Sequence, residues 1–166
     1  FMGGREFEAV CSITSATVND KFDESDLQTI IDNQVFALPD FSDGSGPFGG
    51  RTGEIIGPVD TVTGIALATM YCALMIDYQL DMLAAKGKVF IEGAFLKNPL
   101  LCAMINQLRN KQEVFLSLDA TGTVQGAAYL TNWQGVQCEI MTSQASKTTL
   151  KGLDEYKLSW KYQISH

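Results

Sequence analysis

The sequence is poor in the residues on which many catalytic sites depend. Its 166 residues contain one histidine, His166. A metal site built on histidine pairs, or a catalytic triad with an internal histidine as its base, is therefore excluded by count. The four cysteines have no Cys-x-x-Cys spacing, and apolar neighbours flank Cys72 and Cys102. We therefore expect reduced core thiols, no metal ligands and a cytoplasmic location.

Positive charge is also scarce. The chain has 12 Lys and Arg against 19 Asp and Glu, which gives a net charge of −7. An acidic chain repels phosphate backbones, so we expect no nucleic-acid partner. It lacks the basic face that membrane-surface helices use, and its most apolar run, 65–76, is shorter than the roughly 20 residues of a membrane span. We therefore expect no membrane partner.

The residues that are abundant indicate a folded domain. Hydrophobic residues make up 46% of the chain and charged residues 19%, so it can bury a substantial core. The length fits one domain. Because Phe1 comes first, with Met2 behind it, we interpret the sequence as a piece of a longer protein.

Hydrophobic spacing and turn residues predict alternating helices and strands. Residues 3–11 fit either a short helix or a strand. We expect helices over about 24–33, 61–83, from Asn98 onward, about 121–133 and about 150–162, and strands at Val35–Leu38, Val89–Ile91 and Val114–Leu116. The alternation from Lys88 onward predicts an α/β layer architecture.

The helix over 61–83 is predicted to lie between layers, because it is apolar nearly all round between Ile65 and Ile76. We expect Asp60 or Thr61 to cap its beginning and the segment 86–88 to close it. Part of its apolar surface is expected to be exposed in this chain alone, which favours a homo-oligomer.

The turn after the strand Val89–Ile91 is the most informative stretch for function. Open α/β sheets bind ligands at the carboxyl ends of their strands. Gly93 lets a planar base or a phosphate approach the backbone, and Asn98 begins a helix whose first N–H groups are free. The alternative is a plain helix cap at Asn98. The glycine-rich stretch 43–51 does not match the phosphate-binding pattern G-x-x-x-x-G-K-[ST].

The segment from Gly93 to Leu100, followed by Thr121-Gly122-Thr123-Val124-Gln125-Gly126-Ala127-Ala128, resembles the carboxyl-terminal domain of FGGY-family carbohydrate kinases. That family has a Gly-Gly-Gly-Ala-Lys-Asn-Pro-Leu-type turn, a short Val-rich strand and then a Gly-Ala-Ala helix. The segment 35–41 with the glycine-rich loop, and the tail 153–160, are also similar to the family, so the resemblance covers nearly the whole chain.

Some positions depart from the family pattern. Ala94 and Phe95 stand where the family usually has two more glycines, so Phe95 would either narrow the adenine pocket or stack on the base. Leu96 replaces a small residue. Met70 and Tyr71 fall where many members carry a glutamate.

The resemblance implies a three-layer α/β fold of the actin-like ATPase (ribonuclease-H-like) type, with an incomplete sheet if its first strands lie upstream. Residues 1–166 would be one domain, the C-terminal nucleotide-binding half of a larger two-domain kinase. The intact enzyme would use ATP and Mg²⁺ to phosphorylate a carbohydrate hydroxyl, with ATP/ADP and a sugar held by the N-terminal domain as its partners. Gly93, Ala94 and Asn98 match the nucleotide-binding turn.

The resemblance also implies that no catalytic residue lies in this chain. The family's catalytic aspartate and its Gly-Thr phosphate turn precede the position of Phe1, so the chain alone is expected to be inactive. Asp20, Asp40 and Asp60 are not assigned that role. Two alternatives stay open: a noncatalytic interaction or assembly module that kept the actin-like fold, and an acetate-kinase-like phosphotransferase.

Overall fold

The structure is a computed structural model that describes residues 1–42, 44, 46–118, 122–132 and 141–166. Within these ranges the helices are α1 (Gly3–Ile13), α2 (Glu24–Asp32), α3 (Gly64–Met82), α4 (Pro99–Leu108), α5 (Gly122–Tyr129) and α6 (Leu153–Gln163). The strands are β1 (Phe36–Leu38), β2 (Glu54–Ile56), β3 (Val89–Ile91), β4 (Val114–Ser117) and β5 (Thr142–Gln144). Residues 3–11, which fitted either a helix or a strand, thus all belong to α1.

The strands form two small sheets. β1 pairs with β2 in antiparallel register. In the second sheet β4 is central: β3 pairs with it in parallel, with Val89 opposite Val114, and β5 pairs with it in antiparallel. The two parallel strands are connected by α4, and such a helical crossover is the usual connection between parallel strands in an α/β layer. The predicted α/β architecture is therefore confirmed.

The centre of the molecule is α3. Every residue from Gly64 to Met75 is buried, because α1, α2, α4 and β1 all contact this helix. A helix that is apolar on every side has to be enclosed in this way. Its predicted position between layers is confirmed, but the expectation that part of its apolar surface is exposed was wrong. Its exposed apolar side chains lie only at and just beyond its end, at Met82 and Leu83.

The predicted beginning of α3 was wrong by a few residues. Asp60 and Thr61 lie in a separate 3-10 turn, Val59–Thr61, and the helix begins at Gly64. Thr63 occupies the cap position, but its hydroxyl donates to Asp26 of α2 over 2.7 Å and does not cap α3. The residue at the cap position of α3 thus uses its hydroxyl in a contact with α2 instead of capping its own helix.

The predicted end of α3, at about Leu83, is confirmed to within one residue, but the predicted closing segment was wrong. The helix ends at Met82 with Leu83 at its C-cap, and the segment 86–88 lies beyond it. The left-handed residue that follows is Ala84, with φ of +49°, although glycine is the usual residue there.

Two other helices differ from prediction at their ends. α6 begins at Leu153 because Gly152, at φ of +72°, holds the cap position. α5 ends at Tyr129 and continues as a 3-10 turn, Leu130–Asn132. The predicted ends of this helix, Thr121 and Trp133, lie outside the described residues.

α6 is held against β1 by two buried hydrogen bonds. The Tyr156 hydroxyl donates to the carbonyl of Val35, and the Trp160 indole N–H donates to the carbonyl of Ala37 over 2.8 Å. The ring of Tyr156 also stacks on Phe36, with 4.6 Å between ring centroids. These contacts attach the C-terminal helix to the two-stranded sheet.

An ion-pair cluster joins the ends of α3 and α4 to α6. Asp77 is fully buried and lies 3.1 Å from an Arg109 nitrogen and 2.5 Å from the Lys157 ammonium. Asp81, one turn further along α3, is 2.5 Å from Arg109 and 2.8 Å from Lys161. The buried Asp77 is thus neutralised by two cations, which a carboxylate in the core requires.

No helix in the described part of the chain is long and apolar enough to cross a membrane.

Candidate functional site

The candidate site lies at the edge where the two parallel strands end. β3 ends at Ile91 and β4 at Ser117, and parallel strands bring their carboxyl ends to the same edge. A 3-10 turn, Gly93–Lys97, follows β3 and leads directly into α4. We call Gly93–Lys97 the β3–α4 turn.

The backbone at the start of this turn is open. Gly93 has φ of +76°, a left-handed conformation that glycine adopts without strain. A Cβ built at Gly93 would have no heavy atom within 4 Å, and both Gly93 and Ala94 are exposed. A flat or charged group can therefore reach the backbone here without meeting a side chain.

Asn98 forms the helix cap that was the alternative prediction for it. Its Oδ1 accepts the N–H of Leu101 over 3.0 Å, and Pro99 occupies the first helical position. Its Nδ2 donates to the hydroxyl of Thr69 in α3 over 2.9 Å. Both ends of the amide thus have partners inside the protein, so Asn98 holds the β3–α4 turn from within.

Sequence reasoning missed Thr69. The available signal was a threonine in the otherwise apolar run 65–76, where a hydroxyl needs a partner once it is buried. Its hydroxyl donates to the carbonyl of Ile65 over 2.8 Å, as buried helical threonines commonly do, and still accepts from Asn98.

Phe95 turns its ring toward α1. A Cβ built on Gly3 would lie 2.5 Å from Cζ of Phe95, so the ring packs directly on the first turn of that helix. The Phe95 carbonyl accepts the N–H of Asn98 over 3.0 Å and the S–H of Cys102 over 3.4 Å. The residue that replaces a family glycine therefore anchors the turn to two helices.

A buried carboxylate from α1 lies next to the positions where the family carries a glutamate on the long helix. Met70 and Tyr71 are both buried, and the Tyr71 hydroxyl donates to Glu6, which is 1% exposed. Glu6 also accepts the N–H of Met2 over 3.1 Å. Burial, and then the bond to Glu6, raise the pKa of Tyr71, so its phenol stays neutral.

Asp40 organises the loop that follows β1. Its carboxylate accepts the N–H and the hydroxyl of Ser42, over 2.6 and 2.7 Å, and the N–H of Gly44 over 2.6 Å. Burial acts to raise the pKa of Asp40, but these bonds outweigh it and the pKa is lowered. Among the described residues, the carboxylate of Asp40 bonds only within its own loop, while Asp20 and Asp60 are exposed.

The three described cysteines are free thiols in the core. Burial raises the pKa of Cys11 to about 11 and raises that of Cys72 and Cys102 as well, so they are unreactive. Cys138 lies outside the described residues. Among the residues that are described, no group of three or more acidic, cysteine or histidine side chains could hold a metal ion.

A surface cavity of about 400 Å³ lies away from the β3–α4 turn. Its lining includes Asp81, Arg109 and Lys157 of the ion-pair cluster. Arg109 follows the last residue of α4, whereas the β3–α4 turn precedes the first. This cavity is therefore at the opposite end of α4 from the candidate site.

The fold is that of the actin-like ATPase domains of carbohydrate kinases. Superposition on a carbohydrate kinase from Novosphingobium aromaticivorans gives a TM-score of 0.78 at 24% identity, over 99% of this chain and 36% of that one. A xylulose kinase from Rhodospirillum rubrum gives 0.69 at 14% identity, over 98% of this chain and 37% of that one. The chain thus spans just over a third of the length of these kinases.

The family described as carbohydrate kinase FGGY, C-terminal domain, matches residues 1–139. The chain belongs to this family, as the resemblance of its β3–α4 turn and Gly-Ala-Ala helix indicated. A comparison with curated proteins gave no match.

Proposed function

We propose that residues 1–166 form the nucleotide-binding C-terminal half of a two-domain carbohydrate kinase. The intact enzyme would transfer the γ-phosphate of ATP to a sugar hydroxyl, with the sugar held by the N-terminal half. Family membership supports this proposal. The length of the chain supports it too, because it covers just over a third of the length of two solved kinases of the same fold.

The observation that carries the proposal is the open backbone at Gly93. It stands at the carboxyl edge of two parallel strands, where α/β domains bind nucleotides, and no side chain obstructs it. The adenosine part of ATP would lie against Gly93 and Ala94, while Asn98 fixes the turn. In the intact enzyme, Mg²⁺ would be held by the ATP phosphates and by the other half of the enzyme.

The proposal includes inactivity of this chain by itself. Phosphoryl transfer depends on positioning the sugar and on stabilising charge at the phosphates, and we assign both tasks to the proposed N-terminal half of the intact enzyme. Family membership gives no support to an acetate-kinase-like enzyme. A noncatalytic module with the same fold remains the competing proposal, and ATP binding separates the two.

Two glycines with nearly the same backbone provide the test. Gly93 and Gly152 have φ of +76° and +72°, so alanine at either costs about 1–2 kcal/mol of backbone strain. Only Gly93→Ala places a methyl group where we propose that the nucleotide lies. In the intact kinase we expect Gly93→Ala to raise the KM for ATP by about 5-fold or more, roughly 1 kcal/mol of lost binding, at nearly constant kcat and sugar KM.

Gly152→Ala is the matched control, and it should lower the melting temperature without changing ATP kinetics. If both variants are destabilised and neither changes the KM for ATP, the nucleotide does not contact the β3–α4 turn. Absence of any ATP-induced rise in the melting temperature of the wild-type kinase would favour the noncatalytic module.

A further inference from the structure

A chain of hydrogen bonds links the interior of α3 to the beginning of α4. Thr69 is fully buried, and its hydroxyl donates to the Ile65 carbonyl over 2.8 Å. The same oxygen accepts Nδ2 of Asn98 over 2.9 Å, and Oδ1 of Asn98 accepts the N–H of Leu101 over 3.0 Å. The bond between Thr69 and Asn98 joins two residues that are 29 positions apart in the sequence.

These hydrogen bonds determine which way the Asn98 side-chain amide is oriented. The oxygen has to face α4 to cap Leu101, so the NH₂ group has to face α3, where Thr69 is its acceptor. Without the Thr69 hydroxyl, a partly buried NH₂ group would lose its partner, and turning the amide over would remove the cap instead.

The backbone of Asn98 connects the β3–α4 turn to α4. The Asn98 N–H donates to the Phe95 carbonyl over 3.0 Å, and the Cys102 N–H donates to the Asn98 carbonyl over 3.3 Å. Gly93 and Ala94, at the other end of the turn, are exposed, and a Cβ built on Gly93 would have no heavy atom within 4 Å. Asn98, the residue that follows the turn, is therefore bonded both to the turn and to α4, and it anchors the end of the turn opposite Gly93.

We propose that Thr69 is a positioning residue for nucleotide binding. It touches no nucleotide; it orients Asn98, and Asn98 in turn holds the backbone of Gly93 and Ala94 where ATP contacts it. This inference rests on the proposed function and extends it to a residue in the core of α3.

The test uses the intact kinase with three substitutions. Thr69→Val keeps the shape and removes the hydroxyl, and Thr69→Ser keeps the hydroxyl. Thr148→Val is the matched control, because Thr148 is also buried, at 2% exposure, and its hydroxyl donates to Gln107 over 2.7 Å, away from the turn. Steady-state kinetics for ATP and sugar, and melting temperatures, are measured for each.

We expect Thr69→Val to raise the KM for ATP about 3- to 10-fold, the effect of one lost hydrogen bond, with kcat and sugar KM within about 2-fold. Thr69→Ser should restore the KM for ATP to within about 2-fold of wild type, since it keeps the acceptor. Both valine variants should melt a few degrees lower, by about 2–4 °C per lost hydrogen bond.

An unchanged KM for ATP in folded Thr69→Val, or an equal rise in Thr148→Val, would overturn the inference and leave the proposed function standing. A wild-type kinase whose melting temperature does not respond to ATP would overturn both. If Thr69→Val does not fold, Thr69→Ala, which also lacks the hydroxyl and favours helix, is judged by the same criteria.

Discussion

The ring of Phe95 packs so closely on Gly3 that a Cβ at Gly3 would lie 2.5 Å from its Cζ atom. This contact joins the first turn of α1 to the β3–α4 turn. The Gly3 carbonyl also accepts the S–H of Cys72 in α3 over 3.7 Å. Gly4, the next residue of α1, has no heavy atom within 4 Å of the corresponding position. Two adjacent glycines thus differ in whether a side chain fits.

Because of this difference, we expect substitution by alanine to have opposite effects on stability at Gly3 and at Gly4. Gly3→Ala should destabilise the protein by about 1–3 kcal/mol, because the methyl group displaces the Phe95 ring. Gly4→Ala should stabilise it by up to about 1 kcal/mol, because alanine is the better helix residue. Thermal melting of the purified protein checks both, and equal melting temperatures for the two variants would contradict the packing.

The ion pairs of Asp81 should make stability depend on pH. Burial acts to raise the pKa of Asp81, but hydrogen bonds from Lys161 and Arg109 hold it below its ordinary value of 3.8. A lowered pKa in the folded state contributes stability above the unfolded pKa, and that contribution disappears as the pH falls through the folded pKa.

Asp81→Asn should therefore lower the melting temperature at pH 7 by a small amount, about 1–4 °C for a half-exposed pair. The difference from wild type should shrink as the pH falls from about 5 to about 3. Asp60→Asn, at an exposed aspartate outside the ion-pair cluster, is the control. A difference that stays constant over this pH range would show that the ion pairs of Asp81 are not its cause.

Asn98 combines a cap with a link to α3, and two variants separate these roles. Asn98→Ala loses both, so we expect about 1–2 kcal/mol lower stability and a KM for ATP raised about 2- to 10-fold in the intact kinase. Asn98→Ser keeps a capping oxygen but has no NH₂ group for Thr69. It should recover most of the melting temperature while the KM for ATP stays raised. If Asn98→Ser recovers both the melting temperature and the KM for ATP, Asn98 acts only as a helix cap.

The 166-residue chain alone should phosphorylate no sugar. A coupled assay for ADP release, run over a panel of ketoses and polyols, should give no turnover above a no-sugar control. Circular dichroism establishes that the chain is folded, and the intact kinase in the same assay is the positive control. Sugar-dependent turnover by the folded chain would place the catalytic base within it.

Features set by local sequence were predictable. Asp23 and Asp26 form a capping box at the start of α2, close to the predicted boundary, and the apolar centre of α3 is buried as its composition indicated. The β3–α4 turn was found because glycine, a helix-capping asparagine and proline stand in order after a buried strand.

Features set by contacts between distant residues were not predictable. Thr63, at the cap position of α3, bonds to Asp26 of α2, and the predicted cap Asp60 lies in a separate 3-10 turn. The bond between Thr69 and Asn98 joins two helices and leaves no periodic signal in the sequence. The ring of Phe95 could be placed only once α1 was seen to lie against it.

Photolabelling of the intact kinase with 8-azido-ATP tests the central claim most directly. Trypsin cleaves after Lys88 and Lys97, so one peptide, Val89–Lys97, contains β3 and the whole β3–α4 turn. We expect this peptide to carry the label, and excess ATP to protect it. ATP-protected label confined to other peptides, with none on Val89–Lys97, would contradict a nucleotide site at this turn.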